Sequence, residues 1–304
     1  MSLNPLQIAA HPSIIPTIQR QSEALLAIYG EQARLASIFA SQQGWLLAMA
    51  AFAVYFRKQR SVQEKWIGIT AAEFCEFVER HRITSINTAE SFFKKTIHYG
   101  FTLCVASPDR RARPVAPSEE AVAAIAAWIA IHLSTLDALD GGDRVGAASG
   151  DMTLLSHFQP AITDRLLANE AIRNPAPVFG IFTWLNQGGL MLERLFCGLQ
   201  EPGPDGRIMT NIVSISLLAS WLKLSRSHLH RKLREAEAIG GLGWSGARGQ
   251  SPLWVSDAFL SEMLAYQANK LAIIDDAFDA VRNGEGLPPA NRPKNETIAS
   301  VPIT

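Results

Sequence analysis

The sequence predicts a mainly α fold laid out in two similar halves. Three observations predict it. Apolar residues recur at helical spacing, and strand-type alternation is scarce. Prolines and glycines gather in clusters between those periodic stretches, where they act as punctuation. A segment running Ser85 to Gly100, SINTAESFFKKTIHYG, lies without a gap over Ser225 to Gly240, SRSHLHRKLREAEAIG, 140 residues further on. The same order of features twice, at nearly constant spacing, marks an internal duplication.

The bulk numbers fit that reading. A chain of 304 residues with 48% hydrophobic content can bury two ordinary cores. A charged fraction of 18% and a net charge of zero exclude a disordered chain. The same balance excludes a protein basic enough to bind nucleic acid through bulk charge, so such binding must come from local patches. Cys75, Cys104 and Cys197 form no disulfide framework and no metal spacing, which points to a reducing cytoplasm. The opening MSLNPLQIAAHPSIIP lacks a basic region and is broken by prolines, unlike a signal peptide. The apolar runs 44–56 and 121–133 are about 13 residues each, short of the roughly 20 a bilayer needs, so they are expected to be buried helices with no membrane partner.

The first half, 18–139, opens with helices expected at 18–40 and 44–60. Thr70 with Glu73 makes a capping box for a helix over 70–81. A helix over 86–99 should bury Ala89 and Phe93 and expose Asn87, Thr88, Ser91 and Lys94. FTLCVASPDRRARPVAPS, 101–118, reads as strand, turn, strand, its turn carrying Asp109, Arg110, Arg111 and Arg113. A helix over 118–139 closes the half. LDGGDRVGAASGD then gives a glycine-rich linker, bounded at 140–151.

The second half, 152–282, repeats the plan, with helices expected at 152–170, 177–200, 214–222, 226–238 and 256–282. VSISLLASWLKL places Leu217, Leu218, Trp221, Leu222 and Leu224 on a short amphipathic helix and its exit. Ser225 is placed to cap the next helix. That helix should bury Leu229, Leu233 and Ala236 and turn Arg226, Ser227, His228, Arg231 and Arg234 outward. GGLGWSGARGQSPLWVS offers two extended pieces, LGW and PLWV, around a turn with Arg248 and Gln250. Ser256 caps the last long helix, with Asp257 favourable in its first turn. Residues 283–304 have the composition of a flexible tail.

Two short helices joined by a tight turn, the second with a basic exposed face, describe a helix-turn-helix. The strand pair that follows has the shape of a wing. The expected architecture is therefore tandem winged helix-turn-helix units with small β-wings and long flanking helices. SPDRRARPVAPSEEA and LASWLKLSRSHLHRKLREAEAIGGL make the chain similar to the MarR-type winged helix-turn-helix regulators, over roughly 40–137 and 180–280. The resemblance implies a regulator of transcription that binds double-stranded DNA. It also implies a pocket for a small aromatic or lipophilic effector between the helical platform and the winged units. Members of that family usually carry one such unit and dimerise; two units in one chain imply a single-chain pseudo-dimer. The first recognition helix, with Phe92 and Phe93, has little basic charge, and the second wing offers only Arg248 in place of an Asp-Arg-Arg tip.

Set against this are plainer readings. The basic faces could be ordinary solvated surface. Phe39, Trp45, Phe52, Tyr55, Phe182 and Trp184 are expected to serve core and interface packing. Gly241, Gly243 and Gly246 match G-x-G-x-x-G, but a helix precedes them and a wing follows, the reverse of a dinucleotide site. His228 and His230 sit two apart on a helix and cannot share a metal. No catalytic set, metal site or cofactor motif emerges. The alternative function is a winged-helix protein–protein interaction module without DNA binding. Association of whole chains into a homo-oligomer is left open.

Overall fold

The computed structural model describes residues 2–31, 39–61, 68–107, 111–203 and 205–284. The chain is mainly helical, with short strands. Helix α1 (Pro5–Ala9) is started by a capping box between Asn4 and Gln7. Helices α2 (Ile14–Glu31) and α3 (Gln42–Ser61) follow. The expected 18–40 helix starts earlier, at Ile14, and 32–38 lie outside the described residues.

Helices α4 (Ala71–Arg80) and α5 (Ile86–His98) form the next pair. Strands β1 (Thr102–Cys104) and β2 (Val115–Pro117) pair antiparallel, Cys104 opposite Val115. Helix α6 (Glu119–Asp140) closes the first half. It runs 22 residues, longer than the apolar run inside it, and among the described helices it alone has the length and apolarity to cross a membrane. Here it packs on α2, with Leu133 and Leu136 fully buried.

The expected linker is an ordered connection. Asp143 caps a short helix, α7 (Arg144–Ala148). The Arg144 guanidinium reaches Asp140 (2.7 Å), Asp137 (3.1 Å) and Asp275 (2.7 Å). Asp275 is fully buried and also accepts the backbone N–H of Leu3 at 2.7 Å. The chain start, the connection and the last long helix are thus tied to one carboxylate. Gly141 supplies the left-handed exit from α6 (φ 75°), so glycine here serves a tight turn.

The second half contains α8 (Met152–Ala168), α9 (Glu170–Arg173), α10 (Pro177–Thr183) and α11 (Gly188–Gly198). The helix expected over 177–200 is therefore broken. Gln187 turns left-handed (φ 64°), and a side chain on Gly188 would strike the carbonyl of Phe182. Strand β3 (Arg207–Met209), unanticipated, precedes α12 (Ile215–Trp221) and α13 (Arg226–Ala238). Strands β4 (Leu242–Trp244) and β5 (Leu253–Ser256) complete an antiparallel sheet in the order β3-β5-β4, and α14 (Asp257–Arg282) follows.

The two halves interlock. Helix α2 packs on α11 of the other half, and α8 packs on α3 of the other half. Side-chain bonds to backbone carbonyls fix these crossings. Gln19 donates to the carbonyls of Phe196 (3.2 Å) and Leu199 (3.0 Å). Gln159 and Thr163 both donate to the carbonyl of Met49 (3.0 and 3.1 Å). One large core runs through both halves, while Phe74, Phe77, Val78, Ala89, Phe92 and Phe93 form a smaller cluster beneath α4 and α5.

Candidate nucleic-acid interface

The helix pairs α4–α5 and α12–α13 are built with the same backbone devices. Between the helices the chain turns through a residue of positive φ, Arg82 (50°) or Lys223 (52°). Ser85 and Ser225 then cap the second helix, accepting the N–H of Thr88 (3.3 Å) and His228 (3.2 Å). Each second helix leaves through a left-handed glycine, Gly100 (φ 78°) or Gly240 (φ 74°). Ser118 and Ser256 bond back to the carbonyls of Phe101 and Gly241, both at 2.9 Å, and cap α6 and α14. The two differ at the preceding strand. The second unit has all of β3, whereas among the described residues the first has a single bridge, Ile69 to Val115. Thr70 caps α4 immediately after Ile69, so the chain passes from the bridge straight into the helix.

On α13 the faces separate cleanly. Leu229, Leu233 and Ala236 are buried. Arg226, Ser227, Arg231 and Arg234 are exposed; His228 is half-buried beside the cap. Among the described residues Arg226 and Arg234 carry no ion pair. Arg231 pairs with Glu235 at 2.8 Å, and Lys232 meets the same carboxylate at 2.6 Å. These two cations, Lys232 foremost, hold Glu235 below the ordinary carboxylate range. An open concavity of about 650 Å³ lies along this face, lined by Arg226, Ser227, His230, Arg231 and Arg234.

The turn after α13 is tied back to it. Arg248 is exposed but bonded to Glu237 at 2.5 Å, and Gln250 is exposed beside it. Gly241 and Gly243 are packing positions. A side chain on either would collide with Val178 or with Trp254.

On α5, Asn87, Ser91 and Lys94 are exposed and Thr88 is half-buried. The Thr88 hydroxyl lies 2.9 Å from that of Ser85, so it serves the cap. Lys94 pairs loosely with Glu90 (3.3 Å). The outward face also presents Lys95 and His98, which the sequence reading passed over although Lys95 stands four residues after Ser91. Where α13 begins with Arg226, α5 begins with Ile86, 43% exposed. In the β1–β2 turn Arg111 and Arg113 are exposed, and Arg110 lies outside the described residues.

Two apolar expectations are corrected. Leu217 (70% exposed) and Trp221 (48%) face outward from α12, because Ile215, Leu218, Ala219 and Leu222 already fill its inner face. Trp184, at the end of α10, is 52% exposed and packs no core. Among the described residues no group of histidine, cysteine, aspartate and glutamate could hold a metal. No protein-family model, curated protein or solved structure matches the chain.

Proposed function

We propose that the chain is a DNA-binding transcriptional regulator of MarR-like design. Two winged helix-turn-helix units on one chain would act as a pseudo-dimer, with α13 and α5 as the two reading helices. The observation that carries the reading is the outward set Arg226, Ser227, Arg231 and Arg234 on a capped helix whose opposite face is buried. Such a helix enters a major groove by its N-terminal residues, where arginine can form two bonds to a guanine edge. Support for the tandem arrangement comes from the shared turns, caps and left-handed glycines, and from helices of each half crossing onto the other. In a two-fold dimer the reading helices stand about 34 Å apart, one DNA turn. Arg226 faces one half-site and Ile86 the other, so the preferred operator is asymmetric.

The test is binding of duplex DNA against salt. A phosphate-neutralising protein loses affinity steeply, with a logarithmic slope near −0.9 per phosphate contact. Selection from a random duplex pool should return an asymmetric site bound by one chain. A perfect palindrome bound by two chains defeats the pseudo-dimer.

The second reading is a winged-helix interaction module without DNA binding. Glu235 and Glu237 engage Arg231, Lys232 and Arg248, and the exposed Leu217 and Trp221 offer apolar surface. Absence of any salt-dependent shift with DNA decides for it.

A further inference from the structure

Counted from their caps, Ser85 and Ser225, α5 and α13 correspond position for position. The outward set on α13 is Arg226, Ser227, Arg231 and Arg234. The same positions on α5 hold Ile86, Asn87, Ser91 and Lys94, all of them exposed. An alkyl group therefore stands where the leading guanidinium stands on α13, and a carboxamide stands where the hydroxyl of Ser227 does.

The fold does not account for this pair. Ala89, Phe92 and Phe93 already fill the inner face of α5, and Ile86 is left outside it. Thr88 and Ser85 are engaged with each other and with the cap, at 2.9 and 3.3 Å. Among the described residues the Asn87 carboxamide makes no hydrogen bond. An open concavity of about 500 Å³ runs along the face from Asn87 past Ser91 and Lys94 to His98. The first turn of α5 thus offers a bare alkyl group and a free amide, where α13 offers Arg226 without an ion pair.

The groups on a base-pair edge sort these side chains. In the major groove guanine presents two acceptors, which a guanidinium meets with two N–H donors. Adenine presents an acceptor beside a donor, which a carboxamide matches, and thymine presents a methyl group. Isoleucine has no donor for a guanine edge and would leave its acceptors dry and unpaired.

We infer that the half-site under α5 contains two adjacent A·T pairs, with Asn87 bonded to the adenine of one and Ile86 against the thymine methyl group of the other. The half-site under α13 carries a guanine bonded to Arg226. This assignment rests on the DNA-binding reading above and gives its asymmetry a base sequence.

The full chain first selects its site from a random duplex pool. One half should return adjacent A·T pairs and the other a G·C pair. Uracil then replaces each thymine of the A·T half in turn, which removes a methyl group and no hydrogen-bonding atom. At one thymine the exchange should weaken binding about fourfold, the effect of returning one methyl group to water. Ile86→Ala should bind the thymine and uracil duplexes alike, with an unchanged salt slope because no phosphate contact is lost. Asn87→Ala should lose about tenfold in its preference for the neighbouring adenine. Ile86→Arg should select guanine in place of the A·T pair under Ile86. The assignment is overturned if the selected half shows no preferred A·T pair, if no uracil weakens the unaltered chain, or if Ile86→Ala still distinguishes the two duplexes. Salt-dependent binding that persists in those cases confines the failure to the assignment. A chain that binds no duplex at all defeats both the assignment and the reading beneath it.

Discussion

The phenol of Tyr266 donates to the Gln42 amide oxygen at 2.8 Å, joining α14 to the first turn of α3 across the seam between the halves. The Gln42 amide nitrogen passes on to the carbonyl of Ile172 at 2.6 Å. Both side chains are buried, so neither end can turn to water when the other is lost.

Gln42→Leu should therefore destabilise the whole chain. It leaves the Tyr266 hydroxyl and the Ile172 carbonyl buried without partners, a cost of about 1–3 kcal/mol for each such group. Tyr266→Phe removes one donor only and should cost less. Urea unfolding followed by far-ultraviolet circular dichroism measures both. Equal stability of Gln42→Leu and the unaltered chain would show that the seam does not depend on this bridge.

Arg226 and Arg231 should contribute unequally to DNA binding. Arg226 is unpaired among the described residues, whereas Arg231 must release Glu235 first. Arg226→Ala should weaken binding about tenfold and, if it meets a phosphate, lower the salt slope by about one. Arg231→Ala should do less, and Glu235→Gln should strengthen binding. Fluorescence anisotropy of a labelled duplex across a salt series distinguishes these outcomes.

Arg144 should govern the acid limb of stability. It is the first cause holding the Asp140 carboxyl below its ordinary value of 3.8. A carboxyl depressed in the folded state adds stability that is full above that value and fades as pH falls through the lowered one. Arg144→Met should flatten this limb. At neutral pH it should also cost about 3–5 kcal/mol, since buried Asp275 is left without its cation. Thermal unfolding between pH 2 and pH 7 reads both effects.

Local chemistry made much of this legible in the sequence. Thr70 with Glu73, Ser225 and Ser256 mark helix starts because a cap needs only neighbours three residues away. The buried and exposed faces of α13 follow from spacing alone. What escaped was set by distant partners. Strand β3 is three residues long and exists because β5 lies beside it. The glycine-rich connection is held by Asp275, 131 residues from Arg144. Lys270 carried a signal that went unused. It sits four residues after Tyr266 and four before Ile274, in the buried stripe of α14, where a lysine has to be explained. It faces the buried Glu193 carboxylate.

The crossing of α2 onto α11 and of α8 onto α3 has a bearing on how the two halves change over time. In an assembly of identical subunits, each substitution is made twice and must suit both copies of a contact. Within this chain each substitution falls in one half alone. A surface in one half needs to fit only its counterpart in the other, so the same turns can shape both while Ile86 and Arg226 differ at the same structural position.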